Sequence, residues 1–396
     1  MSPRSLSIPP HLPPKKRKRS SVLLALAWYS PAIHRGIMRF AREANWILDT
    51  SLERHRNHYR AWGEDGIICH LHANDSLYQF VKNTRKPVVN IGVGEQPPIP
   101  NIRADTAQIG IMAADYFYER GFRHMAFVRK SHSPASLERY HAFHKRAVEK
   151  GCAAHLIDWL AYSHNRVDYS ERKMIRWIGQ AIKELPKPLA ILTENDEQAV
   201  EVIYACHGVR IPIPDQVVVL GSNNDPLRCE FAPVPLSSID TNLEVMGYEA
   251  AALLDRIMHG GPKPEAPVLI PPVGVVTRLS TDIMAIKHPH VASALKYIWQ
   301  HYTERINAKT VAATVPLSYQ RLHSAFIENV GRTIAEEITH KRMEKAQRLL
   351  IETDKKGYDI ALECGFPNDD RMGRIFKRVL GMTPMEYRQC NRQTAK

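Results

Sequence analysis

From Ser21 to about Asp282, short β-branched runs alternate with stretches of helical, amphipathic periodicity. SVLLALAW precedes a helix predicted around Ile33–Ala44, and GIIC at Gly66–Cys69 precedes one over Ser76–Thr84. KPVVNIG leads into a longer helix from Asp105 to Arg120. HMAFV is followed by Leu137–Lys150 and LAILT by Glu197–His207, with VVVLGSN and APVLI later. Strand–helix alternation of this kind is the sequence form of parallel sheets with helices on both faces. Roughly 260 residues of it fit two such lobes better than one sheet.

From about Pro289 the strand pattern stops and helices joined by tight turns take over. In INAKTVAATVPLSYQRLHSAFIENVG, a short helix holding Val311 and Ala312 meets a turn at Val315-Pro316. Ser318 is placed to cap a second helix, on which Leu322 and Phe326, four apart, share the buried face. Gln320, Arg321, His323 and Ser324 fall on its exposed or flanking faces. YDIALECGFPNDDRMGRIFKRVLGMTPMEYR repeats the plan. Ile360 and Ala361 lie on a helix ending at Cys364-Gly365, and the next helix buries Met372, Ile375 and Phe376. Asp369, Asp370, Arg371 and Arg374 stay outside. Both segments fit a helix–turn–helix, whose second helix enters the major groove.

Charge sharpens the division. Of the net +13, residues 1–20 carry +6, residues 21–284 carry zero, and residues 285–396 carry +7. A neutral middle beside a basic helical end points to a polyanionic partner for that end. The domains expected are therefore a basic tail at 1–20, an α/β domain at 21–284 and an all-α domain at 285–396. PPKKRKRSS reads as a cationic arm ending where the first strand begins. No apolar run approaches the roughly 18–20 residues needed to span a bilayer, so no membrane partner is expected. The six cysteines form no C-x-x-C pair and suggest neither a disulfide ladder nor a zinc site. Reduced, mostly buried thiols in a cytoplasmic protein are expected.

In doubly wound sheets, ligands gather at the carboxyl ends of strands. Several loops there are rich in polar side chains: Trp28-Tyr29-Ser30, Thr193-Glu194-Asn195-Asp196 and Gly221-Ser222-Asn223-Asn224-Asp225. Arg139 lies near a helix start. Carboxylates, amides and a guanidinium bridge adjacent hydroxyls, while indole and phenol rings stack on C–H faces, which is the chemistry of a sugar pocket. Asp and Asn at such positions also serve as helix N-caps, a second account of the same residues. His70 and His72 in CHLH share a strand face but lack a third ligand, so a polar strand edge is expected and no metal. Gly92-Val93-Gly94 lacks the rest of a dinucleotide fingerprint. No Walker loop, G-x-S-x-G or nucleophile–base pair is present, so neither a catalytic residue nor a cofactor is expected.

LAILTENDEQAV, VVVLGSNNDPLRCE and PLSSIDTNLEVMGYEAAALLDRIMHG resemble the effector domain of LacI/GalR-type regulators and periplasmic sugar-binding proteins, and LIPPVGVVTRLSTD resembles its closing segment. AxECGF…IFKRVLGMTPMEYR resembles the signature of the AraC/XylS regulators, and KRMEKAQRLL their linker helix. Together the resemblances cover roughly Val22 to Arg388. They imply a two-lobed periplasmic-binding-protein-like domain, followed by an all-α domain whose two recognition helices enter successive major grooves of double-stranded operator DNA. By position they nominate Gln320, His323 and Ser324, then Asp370, Arg371 and Arg374; Arg321, on the exposed or flanking face of the same helix, joins them as an expected DNA contact. Arg reads guanine, Gln favours adenine, and Asp accepts from cytosine or orients Arg. Lys377 and Arg378 are assigned to phosphate. The effector residues expected are Trp28, Tyr29, Arg139, Asp196, Asn223 and Asn224. The implied effector is a small sugar, a pentose such as xylose. A homodimer is implied, with RNA polymerase as partner if regulation is positive; a repressor released by another sugar and a secreted sugar receptor are the alternatives. Two departures bear on the effector: relatives usually carry Asp-Asn where this chain has Asn223-Asn224, and often an Arg where it has Pro31.

Overall fold

The computed structural model describes residues 19–26, 30–50, 65–71, 76–92, 99–163, 170–283, 285–286 and 288–392. Trp28, Tyr29, His72 and the tail basic cluster lie outside them. The described residues fall into two compact units. One runs to Tyr116 and resumes over His124–Asp282; the other comprises Phe117–Arg123 and the chain from Ile283 onward.

The first unit opens with β1 (Ser21–Leu26), α1 (Pro31–Glu43), β2 (Ile47–Asp49), β3 (Gly66–His70), α2 (Ser76–Asn83), β4 (Val88–Ile91) and β5 (Asn101–Ala104). Next come α3 (Thr106–Glu119), β6 (His124–Arg129), α4 (Pro134–Glu149), β7 (Ala153–Asp158), α5 (Trp159–Tyr162), α6 (Glu171–Glu184) and β8 (Leu189–Leu192). It closes with α7 (Asp196–Gly208), β9 (Val217–Ser222), α8 (Pro226–Phe231), β10 (Ser237–Asp240), α9 (Leu243–Met258), β11 (Val268–Ile270) and β12 (Gly274–Val276).

Two six-stranded sheets result, ordered β11-β5-β4-β3-β1-β2 and β12-β10-β9-β8-β6-β7. Every pairing is parallel except β10 with β12. The central strands β4, β8 and β9 are buried along their whole length, as sheets covered on both faces require. The expected two-lobed α/β fold is therefore present. Sequence reading missed β2, β5, β7, β10 and β12; β10 is buried but rich in serine, and the other four are largely half-exposed. The chain passes between lobes three times: at Asp105 after β5, at Thr241-Asn242 after β10, and over Pro271–Val273 between β11 and β12. Asn242 takes the left-handed conformation there, with φ of 60°.

The second unit is helical: α10 (Pro289–His301), α11 (Ala308–Ala312), α12 (Tyr319–Val330), α13 (Ile334–Glu352), α14 (Gly357–Glu363), α15 (Asp369–Leu380) and α16 (Pro384–Arg392). It holds two cores. Val311, Ala312, Leu322 and Phe326 pack with α10 and with Ile334 and Ile338 of α13. Ile360, Ala361, Met372, Ile375 and Phe376 pack with Met343, Ala346, Leu349 and Leu350 of the same helix. Thus α13 serves both cores, its first half one and its second half the other. Among the described residues, no helix is long and apolar enough to cross a membrane. Cys69, Cys152, Cys206, Cys229 and Cys364 are buried, and burial pushes the thiols of Cys206 and Cys229 up to about 12.

Glu249 of α9 is 2% exposed, and its Oε1 has no hydrogen-bond partner among the described residues. Burial raises its carboxyl from 4.5 to about 7, against the pull of Arg256 and Arg39. The native state thus holds this proton more tightly than the unfolded chain. The group favours the fold at low pH and opposes it as pH rises from 4.5 through 7. Glu249→Gln is expected to stabilise the chain at pH 8 by on the order of 1–3 kcal/mol. The gain should shrink toward zero near pH 5, as read from unfolding midpoints at both pH values.

Candidate effector cleft and nucleic-acid interface

The carboxyl ends of β8 and β9 bring four of the nominated residues together around one buried carboxylate. Asp196, the first residue of α7, is 1% exposed. Its Oδ1 accepts from Ser238 Oγ at 2.6 Å, and its Oδ2 accepts from the Asp225 amide at 2.8 Å. Burial lifts this carboxyl from 3.8 to about 6, while those hydrogen bonds restrain the rise. A Cβ on Gly221 would lie 2.2 Å from Asp196 Oδ1, so only glycine leaves room for the carboxylate. Asp196 therefore anchors the Ser222–Asp225 loop from below.

The loop itself is sharply bent. Asn223 has φ of 106° and Asn224 of 51°, both on the side of the map that non-glycine residues rarely enter. Thr241 donates to Asn223 Oδ1 at 3.1 Å, and the Asn223 amide donates to Ile239 O at 2.9 Å. Asn224 Oδ1 accepts from Arg278 at 3.0 Å, and its Nδ2 donates to Asp240 at 3.3 Å. Arg278, in the closing segment, was not singled out from sequence. It sits beside the loop because β12 pairs with β10.

Arg139 of α4 is buried at 7% exposure and donates to the Glu194 carbonyl. Burial lowers its guanidinium to about 10, with Glu194 and Asp196 opposing. Its Nε has no partner among the described residues. The Glu194 carboxylate accepts from the Lys130 and Ser131 amides and from Ser136 Oγ, tying the start of α4 to the end of β8. Capping accounts for neighbours of the nominated residues: Asn195 caps α7 and Asp225 caps α8. From the other lobe, Arg103 of β5 reaches Glu138 of α4 at 2.6 Å, and Thr106 donates to the same carboxylate at 2.5 Å. This pair spans a crossover, and its partners lie too far apart in sequence to be matched by spacing. Guanidinium, carboxylate and amide groups thus converge at one end of the second lobe, as hydroxyl recognition needs.

In the helical unit, the motif recurs with matched punctuation. Ser318 caps α12 and Asn368 caps α15, each accepting from a backbone N–H three residues on. Gly331 and Gly381 end those helices at φ of 82° and 74°, where glycine carries no steric cost. Thr333 with Glu336, and Thr383 with Glu386, then open the next helices by reciprocal bonds. Gln320, Arg321 and Ser324 are exposed on α12; Asp370, Arg371, Arg374, Lys377 and Arg378 are exposed on α15. His323 is half-buried and stacks on Tyr319, with ring centroids 5.7 Å apart. The first helix therefore presents one cation, Arg321, beside a ring pair and an amide, and the second presents four cations beside Asp369 and Asp370.

A periplasmic binding protein-like domain model matches residues 114–281, and a helix-turn-helix domain model matches residues 311–389. The xylose operon regulatory protein of Escherichia coli (strain K12) is 27% identical over 389 residues, covering 95% of this chain and 98% of that protein. Its namesake from Haemophilus influenzae is 27% identical over 381 residues, covering 91% and 95%. A solved structure described as the xylose-binding transcription activator XylR aligns over 94% of this chain and 99% of its own, at 26% identity and TM-score 0.59.

Arg374→Ala is expected to relax selectivity at one or two base pairs in a selection from a random duplex pool. A uniform loss across sequences would instead assign Arg374 to phosphate. A Cβ on Gly373 of α15 would meet nothing within 4 Å. Gly373→Ala should therefore stabilise the chain by about 0.5–1 kcal/mol through helix propensity, read from its unfolding midpoint.

Proposed function

As a homologue of the xylose operon regulatory proteins along nearly its whole length, the chain is, we propose, a sugar-responsive DNA-binding transcriptional regulator of a carbohydrate-utilisation operon. The observation that carries this reading is the pairing itself: a two-lobed unit with a polar cluster at its strand ends, then a basic unit with two helix–turn–helix motifs.

Sugar binds between the lobes, touching Arg139, Asp196, Asn223 and Asn224, with Trp28 and Tyr29 supplying stacking surfaces. Closure about the three crossovers changes the energy of the state competent for DNA. The ligand acts only through its unequal affinity for the open and closed forms. Gln320, Arg321, His323, Ser324, Asp370, Arg371 and Arg374 read base edges, and Lys377 and Arg378 hold phosphates. The protein works as a cytoplasmic homodimer, so up to four motifs engage one operator. It activates by helping RNA polymerase, the sign that the solved relative's description carries. Xylose is the first effector to test. Asn223, an amide in place of the usual carboxylate, replaces a charged acceptor with a neutral one and shifts preference among pentoses.

The test uses the full chain. A thermal-shift screen of aldopentoses and aldohexoses should find one sugar that raises the unfolding midpoint, since a ligand of the native state stabilises by mass action. That sugar should change affinity for a duplex selected from a random pool by about fivefold or more. The affinity should also fall steeply with salt. Absence of both sugar effects overturns the reading. Asp196→Asn keeps one acceptor for the Asp225 amide and is expected to fold, to bind DNA without sugar, and to weaken sugar binding about tenfold or more. An unchanged sugar titration would remove Asp196 from the site.

A further inference from the structure

Helix α3 starts at a lobe crossover, where Thr106 is bonded to Glu138, and its last residues belong to the helical unit. There Glu119 meets α13. Its Oε1 accepts from His340 Nε2 at 3.1 Å and lies 3.9 Å from the Arg332 guanidinium; its Oε2 is 3.9 Å from Lys341 Nζ. Glu344 closes the ring from α13 itself, 3.3 Å from His340 and 2.7 Å from Lys341. The next residue, Arg120, lays its guanidinium over the Trp299 ring at 4.4 Å. Lys341 lies 4.7 Å from the same ring, whose indole N–H donates to Glu337 at 2.7 Å. Arg332 pairs with Glu337 at 2.7 Å, and the Arg120 carbonyl accepts from the Ala285 amide at 2.8 Å.

Glu119, His340 and Glu344 bring ligand atoms within 4.8 Å of one another, as a metal site would. Lys341 and Arg332 already neutralise the carboxylates, which makes the cluster an ion network instead. Burial alone would lower His340, but Glu119 and Glu344 lift it to about 9, so it is protonated at neutral pH. Glu119, which burial alone would raise, is held below its ordinary range by His340 and Lys341. Three carboxylates thus face three cations.

The point of attachment matters more than the strength. Ile338 is the last α13 residue in the first helix–turn–helix core, and Met343 is the first in the second. His340 and Lys341 sit between them. A grip there orients both cores at once.

We propose that Glu119 is a positioning residue, through which α3 sets the linker helix α13 and with it both recognition helices. The fourteen residues of α3 form one continuous helix, so a displacement at its crossover end is carried to Glu119 without being absorbed by a loop. This role rests on the sugar-responsive regulator reading above.

The experiment compares the wild-type full chain with Glu119→Gln, His340→Gln and the double variant. DNA affinity is measured with and without the sugar that shifts the wild-type unfolding midpoint, on the duplex that the wild type selects. Both single variants should keep the sugar-induced rise in midpoint and a sugar-free DNA affinity within about twofold. Each should lose most of a fivefold or larger sugar-dependent change, and the double should be no worse than either single, because both cut one link. A wild type whose DNA affinity ignores every sugar overturns the regulatory reading and this role with it. A responsive wild type whose variants respond equally overturns the positioning role alone. Should Glu119→Gln fail to fold, His340→Gln reads the same contact from its other partner.

Discussion

An ionised carboxylate withdrawn from water must find hydrogen-bond donors, or its proton returns. The end of the second lobe is organised around one such group. Asp196 recruits the Ser238 hydroxyl from β10 and the Asp225 amide from the loop after β9, and it forbids a side chain at Gly221. Three adjacent strand ends are thereby fixed to one another. The bent Asn223-Asn224 pair, which on its own would resist this backbone conformation, is held by that frame and by Thr241 and Arg278. The polar groups of this cluster are thus tied to one another by hydrogen bonds within the lobe itself.

The fold was legible wherever burial follows a simple period. SVLLAL, LAIL and VVVLGS announce strands because both their faces are covered, so nearly every position is apolar. The helical unit was legible from punctuation as much as from apolar spacing: Ser318 and Cys364-Gly365 mark where helices start and stop, and Leu322 and Phe326 mark the face between. AAHLID and NIRA were not legible, since their half-exposed residues alternate too weakly to separate them from loops. In the cleft, Asp196, Asn223, Asn224 and Arg139 could be nominated because strand ends concentrate polar loops. Arg278 and Glu138 could not be placed, because their partners are set by strand order and lobe crossing. The tie between Glu119 and His340 spans 221 positions and leaves no periodic trace at all.

The two copies of the DNA-facing motif show how a repeated scaffold carries unequal surfaces. Capping residues and glycine stops are held in common, because they satisfy backbone groups that any such helix leaves open. What lies between them differs. Tyr319 and His323 pack as stacked rings in the first copy, while Asp369 and Gly373 hold the same relative positions in the second, beside exposed Arg371 and Arg374. Rings and amides favour shape and hydrogen-bond pattern, whereas guanidinium groups add long-range attraction.

The left-handed backbone of the Asn223-Asn224 turn also limits how the protein can diversify. Few side chains tolerate those dihedral angles: asparagine, aspartate and glycine form nearly the whole alphabet open to the two positions. Branched or bulky replacements would have to rebuild the turn before they could alter a ligand. Exchange within that alphabet changes charge or removes a side chain while leaving the chain path intact. The backbone of this turn, more than the chemistry of its side chains, thus decides which substitutions the two positions can accept without disturbing the fold around them.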